Sequence, residues 1–507
     1  MTAFLDGLSL VMSADVLVTM VVSAMFGLFV GMIPGLSATM AVALLVPVAF
    51  TLSPVAALAT IITCSGMAMF AGDIPAAFLR IPGTPASAAY TSDMNDLVKS
   101  GRLGDALGLS VISSAIGGIM GTIVLMFGAP FLADFAMNFS SYEYFWLALL
   151  GLSCATLVAG EDALKGWVAL MLGLFLSVVG LDFVTGIQRY TFGVMNLQGG
   201  IGFISVMIGA FALAEIFRKA ASFNNEKLEA KIKITGRAYP SAATLWRERK
   251  HIGRGGVIGT LVGALPGAGA DIAAWVTYAI SKRFAREPKL FSKGSTEGVA
   301  GAASANNAAL SGSYVPTLVF GIPGDSITAI VVGVLILKGI QPGPLVFVNS
   351  ADMVNAIYII FLLANIILIP LGIASIYLGR FVISVRDAIL YPLILLLCIY
   401  GAYAVSNNIF ELWVVLAIGI LVWIMQENDY PAAPLILGLV LGQVVEQNFM
   451  SSIIKANGNY INFFNRPISG TLGVVTLIAW TYPLIAAFMK WRSPPADKDV
   501  EASSRPN

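Results

Sequence analysis

A chain of 507 residues that is 58% hydrophobic and 11% charged, with a mean hydropathy of +0.86, is not an ordinary soluble protein, whose charged share is about 25%. At about 20 residues per crossing it accommodates roughly a dozen helical segments, so the expected class is an all-α polytopic protein in a lipid bilayer. The formal charge of +1 hides an asymmetry: 15 of the 29 Lys and Arg lie between positions 218 and 293, and basic loops stay on the cytoplasmic side.

Residues 1–14 form a short lead-in with no cationic region, so the first apolar run, 15–33, reads as a retained helix and not a cleaved signal peptide. Pro34-Gly35 breaks it. Runs 38–50 and 55–70 follow. Turns at Gly72-Asp73-Ile74-Pro75 and Ile81-Pro82-Gly83-Thr84-Pro85 then enclose an irregular apolar segment carrying Arg80, a cation that needs a partner or water at that depth. Beyond the polar connection 91–105 come runs 106–127, 144–158, 167–181 and 201–217; Gly117 and Gly121 offer a close helix contact in the first.

The one long hydrophilic stretch, 218–254, sets ten Lys/Arg against Glu226, Glu229 and Glu248. It reads as a topogenic signal, with no nucleic-acid partner, dividing an N-terminal transmembrane half, 1–217, from a C-terminal half with terminal helix, 255–491. The second half opens with 255–280, broken at Pro266-Gly267 and followed by five more cations, which indicates an element that dips in and returns to the same face. Further apolar runs lie at 354–378, 388–403, 409–424, 433–445 and 471–489, and the tail 492–507 reads as disordered. Cys64, Cys154 and Cys398 stand alone in apolar surroundings, where packing is expected and a disulfide is not.

The stretch 294–344 organises the rest. Its first part, 300–313, is nearly all Ala, Gly and Ser around Asn306 and Asn307; small residues let backbones approach, and buried amides demand partners. Pro316 and the Ile322-Pro323-Gly324-Asp325-Ser326 turn are expected to interrupt helix there. Backbone broken at membrane depth persists only inside protein or along a wet cavity.

The breaks repeat. Residues 31–41 align with 263–273, superposing Gly27 on Gly259, Gly31 on Gly263, Pro34 on Pro266 and Gly35 on Gly267 at an offset of 232 (266 − 34). Residues 75–83 align with 316–324 at an offset of 241 (323 − 82). Paired interrupted helices in two halves point to a secondary transporter's midplane site. Inverted halves are expected over parallel ones, because discontinuous helices accompany that symmetry.

The substrate-binding candidates are therefore Pro34, Gly35, Ser37, Thr39, Pro82, Gly83, Thr84, Ser87, Pro266, Gly267, Asn306, Asn307, Pro323, Gly324 and Ser326. Helix starts after a break offer free N–H groups and a positive dipole end to an anion. Hydroxyls there suit either a carboxylate or a sodium ion. Asp271 and Asp325, with Asn306 and Thr328, are the coupling-ion candidates, and N-capping is the equal alternative for the two carboxylates. No cofactor is expected beyond possible sodium ions.

No Gly-x-x-x-x-Gly-Lys-Ser/Thr loop is present, so ATP does not drive this chain directly. His251 is the lone histidine, which argues against a zinc site or Ser-His-Asp catalysis. A lipid-acting membrane enzyme, with Glu161, Asp162 and Lys165 as its nearest cluster, and a passive anion channel stay as alternatives.

The segments GMIPGLSATMAV (31–42), IPGTPASAA (81–89), GALPGAGADIAA (263–274) and GIPGDSITAIVVGVLILKGIQPGPL (321–345) closely resemble the large membrane subunit of the tripartite tricarboxylate transporters, the TctA family, over about residues 20–490. The resemblance implies a symporter for carboxylates in the bacterial inner membrane, driven by sodium or protons. It also implies two partners, a small four-helix membrane subunit and a periplasmic solute-binding protein. Family members differ in substrate.

Overall fold

The computed structural model describes residues 2–158, 163–182, 185–221, 237–267, 269–285, 287–383 and 387–492. Glu161, Asp162, residues 222–236 of the basic loop and the tail from 493 lie outside the described residues. The first half comprises α1 (Thr2–Val11), α2 (Ala14–Gly31), α3 (Ala38–Thr51), α4 (Pro54–Ala71), α5 (Asp73–Leu79), α6 (Pro85–Ala88), α7 (Thr91–Lys99), α8 (Leu109–Ala136), α9 (Ser141–Val158) and α10 (Ala163–Ser177). A two-residue β ribbon, Gly180–Leu181 with Gln188–Arg189, leads to α11 (Phe203–Met207), which runs through a π turn into α12 (Ala214–Ala221). The second half comprises α13 (Ala242–Gly263), α14 (Gly269–Phe284), α15 (Thr296–Phe320), α16 (Ser326–Leu337), α17 (Val346–Asn349), α18 (Ala351–Ile383), α19 (Asp387–Ser406), α20 (Phe410–Glu427), α21 (Ala432–Lys455) and α22 (Pro467–Arg492).

Among the described residues seven helices are long and apolar enough to cross a membrane, and four shorter apolar helices accompany them. The chain is an all-α multi-pass membrane protein. Three local expectations change. The lead-in is helical, because Gly7 lets α1 lie against the Asp352 and Ala356 backbone of α18. Residues 242–254, expected in the basic loop, form the first turns of α13, with Ser241 capping Thr244. Pro316 does not interrupt α15. Packed among neighbouring helices, that helix continues past the missing donor, as proline is tolerated in membrane helices enclosed by protein; the next residue, Thr317, donates its hydroxyl to the Ser313 carbonyl, 2.6 Å away. The break comes instead at Gly321, φ +69°.

The aligned positions of the two halves make the same contacts. A Cβ on Gly27 or Gly31 would fall 2.4 and 2.5 Å from the carbonyl oxygens of Cys64 and Ala68. The counterparts Gly259 and Gly263 stand 2.3 Å by the same measure from those of Ala305 and Ala309. Such spacing packs α2 on α4, and α13 on α15, backbone to backbone and in the same direction. Likewise Gly83 is pressed against Gly72, and Gly324 against Ser313.

The counterpart helices α4 and α15 run in opposite directions. Along α18, Asn365 and then Gly372 meet Gly118 and then Val111 of α8, so α18 is antiparallel to α8. Gly372 and Gly379 meet Phe70 and Ile74, so α4 and α5 run with α18. Gly117 and Gly121 meet Ser304 and Ala308, so α15 runs with α8. The repeat is thus inverted: α2 and α3 form a hairpin entering from one side, and α13 and α14 form its counterpart from the other.

Candidate functional site

At each break the chain stops one helix and starts another with its cap in place. Ser37 accepts the Met40 N–H at 3.1 Å and so begins α3. Thr84 and Ser87 form a reciprocal capping box at α6, with bonds of 3.2 and 3.1 Å. Their counterparts 241 residues on, Asp325 and Thr328, form the same box at α16, with bonds of 2.7 and 2.8 Å. N-capping therefore occupies Asp325, as the side-chain chemistry allows. Among the described residues Asp271 caps no N–H of its own helix. Its Oδ1 accepts the Ala86 N–H at 3.1 Å, while Trp275 Nε1 donates to the Pro85 carbonyl at 3.1 Å. The Gly267 N–H donates to the Gly324 carbonyl at 2.8 Å, closing the second half's two breaks on each other.

These helix starts wall a cavity of about 510 Å³, a volume typical of small-molecule sites. Gly35, Ser37 and Thr39 of the first hairpin line it with Thr84, Gly267 and Asp271, and Asn306, Asp325 and Ser326 complete that set of sequence candidates. The first turns of α3, α14 and α16 thus converge on one space, each offering partial positive charge. Asn306 is 2% exposed, and among the described residues its Oδ1 has no hydrogen-bond partner.

The other candidates stand behind this wall. Pro34, Pro82, Pro266 and Pro323 set the corners, Gly83 and Gly324 make the close backbone contacts, and Ser87 and Thr328 are committed to capping boxes. Asn307, one residue and about 100° around α15 from Asn306, faces a different cavity.

Sequence reading missed Glu215, Arg218 and Gln426, which line the same space from the ends of α12 and α20. Arg218 pairs with Glu215 at 2.6 Å, and the Lys219 ammonium lies so near Gly35 that a Cβ there would meet it. The available signal was Glu215 three residues before Arg218 at the end of an apolar run; counting Arg218 with the basic loop obscured it.

The profile of the Tripartite tricarboxylate transporter TctA family matches residues 17–437, which contain all four breaks and every cavity residue. This chain belongs to the TctA family. A protein of Agrobacterium vitis described as "Uncharacterized 52.8 kDa protein in TAR-I ttuC' 3'region" is 33% identical to this TctA-family chain over 474 residues, covering 93% of each. A second from the same organism, "Uncharacterized protein in TAR-II ttuC' 3'region", is 34% identical over 230 residues, or 45% of this chain and 95% of its own length. No solved structure matches. The TctA family is a transporter family with tripartite partners in general.

Proposed function

We propose that this chain is the large subunit of a binding-protein-dependent tripartite system in the bacterial inner membrane, and that it imports a di- or tricarboxylate by cation-coupled symport. The observation that carries the proposal is the convergence of three helix starts, Asn306 and Arg218 on one cavity between inverted halves. N–H groups at helix starts and a guanidinium suit a carboxylate-bearing solute. Asp271 and Asp325 face the same space, and they would repel a multiply charged anion entering alone. A sodium ion or proton travelling with the solute removes that repulsion, which is the physical reason for coupling. The basic ends of α12 and α13 support a cytoplasmic side near Arg218, and the cavity is read as open to that side, an inward-facing conformation.

In this scheme a periplasmic solute-binding protein delivers the carboxylate and a small membrane subunit completes the carrier. The test is uptake of radiolabelled citrate and other di- and tricarboxylates into vesicles carrying the full system. Uptake that needs both the binding protein and an imposed sodium or proton gradient supports the proposal. Gradient-independent equilibration would indicate a passive channel, and conversion of lipid without uptake would indicate a membrane enzyme.

A further inference from the structure

The outer face of α13 changes character along its length. Val257, Leu261 and Leu265 recur every four residues and each is more than half exposed, while Gly255, Gly259 and Gly263 on the opposite side pack against α15. None of the three apolar residues lines the solute cavity. Toward the helix start the same stripe continues as Gly253, Lys250, Arg249 and Trp246, at the three- and four-residue spacings of one helix face. From Leu265 at the hairpin tip to Gly253 is twelve residues, about 18 Å of helix, against about 15 Å for half of the hydrocarbon core. With the tip near the midplane, the change from apolar to basic falls at the headgroup layer.

The basic end of the stripe is ordered, and its charge is not met from within. The Arg249 guanidinium lies over the Trp246 indole, 4.1 Å from its centroid, and donates to the Trp246 carbonyl. That stack holds a planar cation beside a ring that is 69% exposed, of the amphipathic kind that membrane interfaces favour. The nearby Arg247 pairs with Glu248 at 2.8 Å, whereas among the described residues Arg249 and Lys250 have no acidic partner. Gly253 leaves the helix surface bare between the cations and the apolar residues: a Cβ there would meet nothing within 4 Å. Packing within the chain does not require that glycine.

We propose that this face of α13 binds an anionic phospholipid of the leaflet next to the basic loops. The phosphate sits against Arg249 and Lys250, the glycerol region lies over Gly253, and an acyl chain runs along Val257, Leu261 and Leu265. A guanidinium and an ammonium suit phosphate oxygens. Two uncompensated cations disfavour a zwitterionic headgroup, whose own ammonium they repel, and a soluble phosphate would leave the apolar residues uncovered. Because α13 leads straight to Pro266 at the tip, a bound headgroup anchors the base of the second hairpin. The site goes beyond carboxylate transport and does not depend on it.

The test counts lipid and does not read transport. The full chain purified in detergent is titrated with phosphatidylglycerol or phosphatidylcholine, with and without inorganic phosphate, and bound lipid is counted by native mass spectrometry. The wild type is expected to retain phosphatidylglycerol at least about tenfold over phosphatidylcholine, since each cation near an anionic surface is worth about fivefold. Arg249→Gln with Lys250→Gln should remove most of that preference. Lys289→Gln with Lys293→Gln, which deletes two exposed cations after α14, should leave it unchanged. Contact at the site is read separately from the fluorescence of Trp246, taken as wild type minus Trp246→Phe. Brominated phosphatidylglycerol should quench it more than brominated phosphatidylcholine, and the Arg249→Gln, Lys250→Gln variant should lose the difference. Equal loss of preference in the two double variants would mean general charge attraction only. Release of phosphatidylglycerol by excess inorganic phosphate at constant ionic strength would make this a site for a free anion. No preference in the wild type would leave a protein partner as what covers the face. Each of these three results overturns the lipid site.

Discussion

The carboxylate of Asp271 accepts the backbone N–H of Ala86 across 3.1 Å of space and 185 residues of chain. It joins the second half's hairpin to the first half's break, beside the Trp275 bond to Pro85. The bond therefore ties the two inverted units at the wall of the cavity they share.

Asp271 is exposed in the cavity wall, so water there meets part of what the Ala86 donor would lose. Asp271→Ala is therefore expected to lower stability by about 0.5–1.5 kcal/mol, the net worth of a typical hydrogen bond, and Asp271→Asn by less because an amide oxygen remains. Thermal unfolding of the purified chain measures both. Equal midpoints for wild type and Asp271→Ala would mean that the bond carries no weight.

The equivalence of the halves predicts equivalent damage. Gly31→Ala and Gly263→Ala each force a methyl to within 2.5 Å or less of a carbonyl oxygen of the adjoining helix. Each is expected to cost about 1–3 kcal/mol through overpacking. Detergent-solubilised yield and unfolding midpoint should fall together for both; a tolerated substitution at either site would contradict the shared packing.

Arg218 supplies a guanidinium to the cavity wall and is held by Glu215 at 2.6 Å. With about 1.5–3 kcal/mol at stake in a charge-assisted bond, and about 1.4 kcal/mol per tenfold in affinity, Arg218→Gln should raise the KM for carboxylate uptake at least about tenfold. Arg218→Lys should restore it only in part, since a point charge cannot form the bidentate fork. An unchanged KM in vesicle uptake would remove Arg218 from the solute's path.

Inversion fixes which hairpin ends share a membrane face. On a background lacking the three native cysteines, single cysteines at Thr51, the end of α3, and at Phe284, the end of α14, are both exposed. A membrane-impermeant maleimide should reach them from opposite sides, with Trp246 labelling from the same side as Phe284. Labelling of positions 51 and 284 from one side would refute the topology.

Hydropathy and Pro-Gly chemistry are local properties, and by themselves they determined that this chain spans a membrane many times, that its helices break at four Pro-Gly corners, and that the breaks recur in two halves. The offsets of 232 and 241 are legible because glycine at close backbone contacts and proline at corners answer to geometry within a few residues. Only the tertiary structure decided which side chains share a space. Asn306 and Asn307 are adjacent in sequence but about 100° apart around α15, so one lines the large cavity and the other a small pocket beside Gly66. Arg218 looks like the first residue of a basic loop until α12 and α20 bring it beside the hairpin tips. Pro316 stays within a helix because the neighbouring helices bury it there. In each case the deciding contact comes from residues far away in the chain, and no local pattern encodes it.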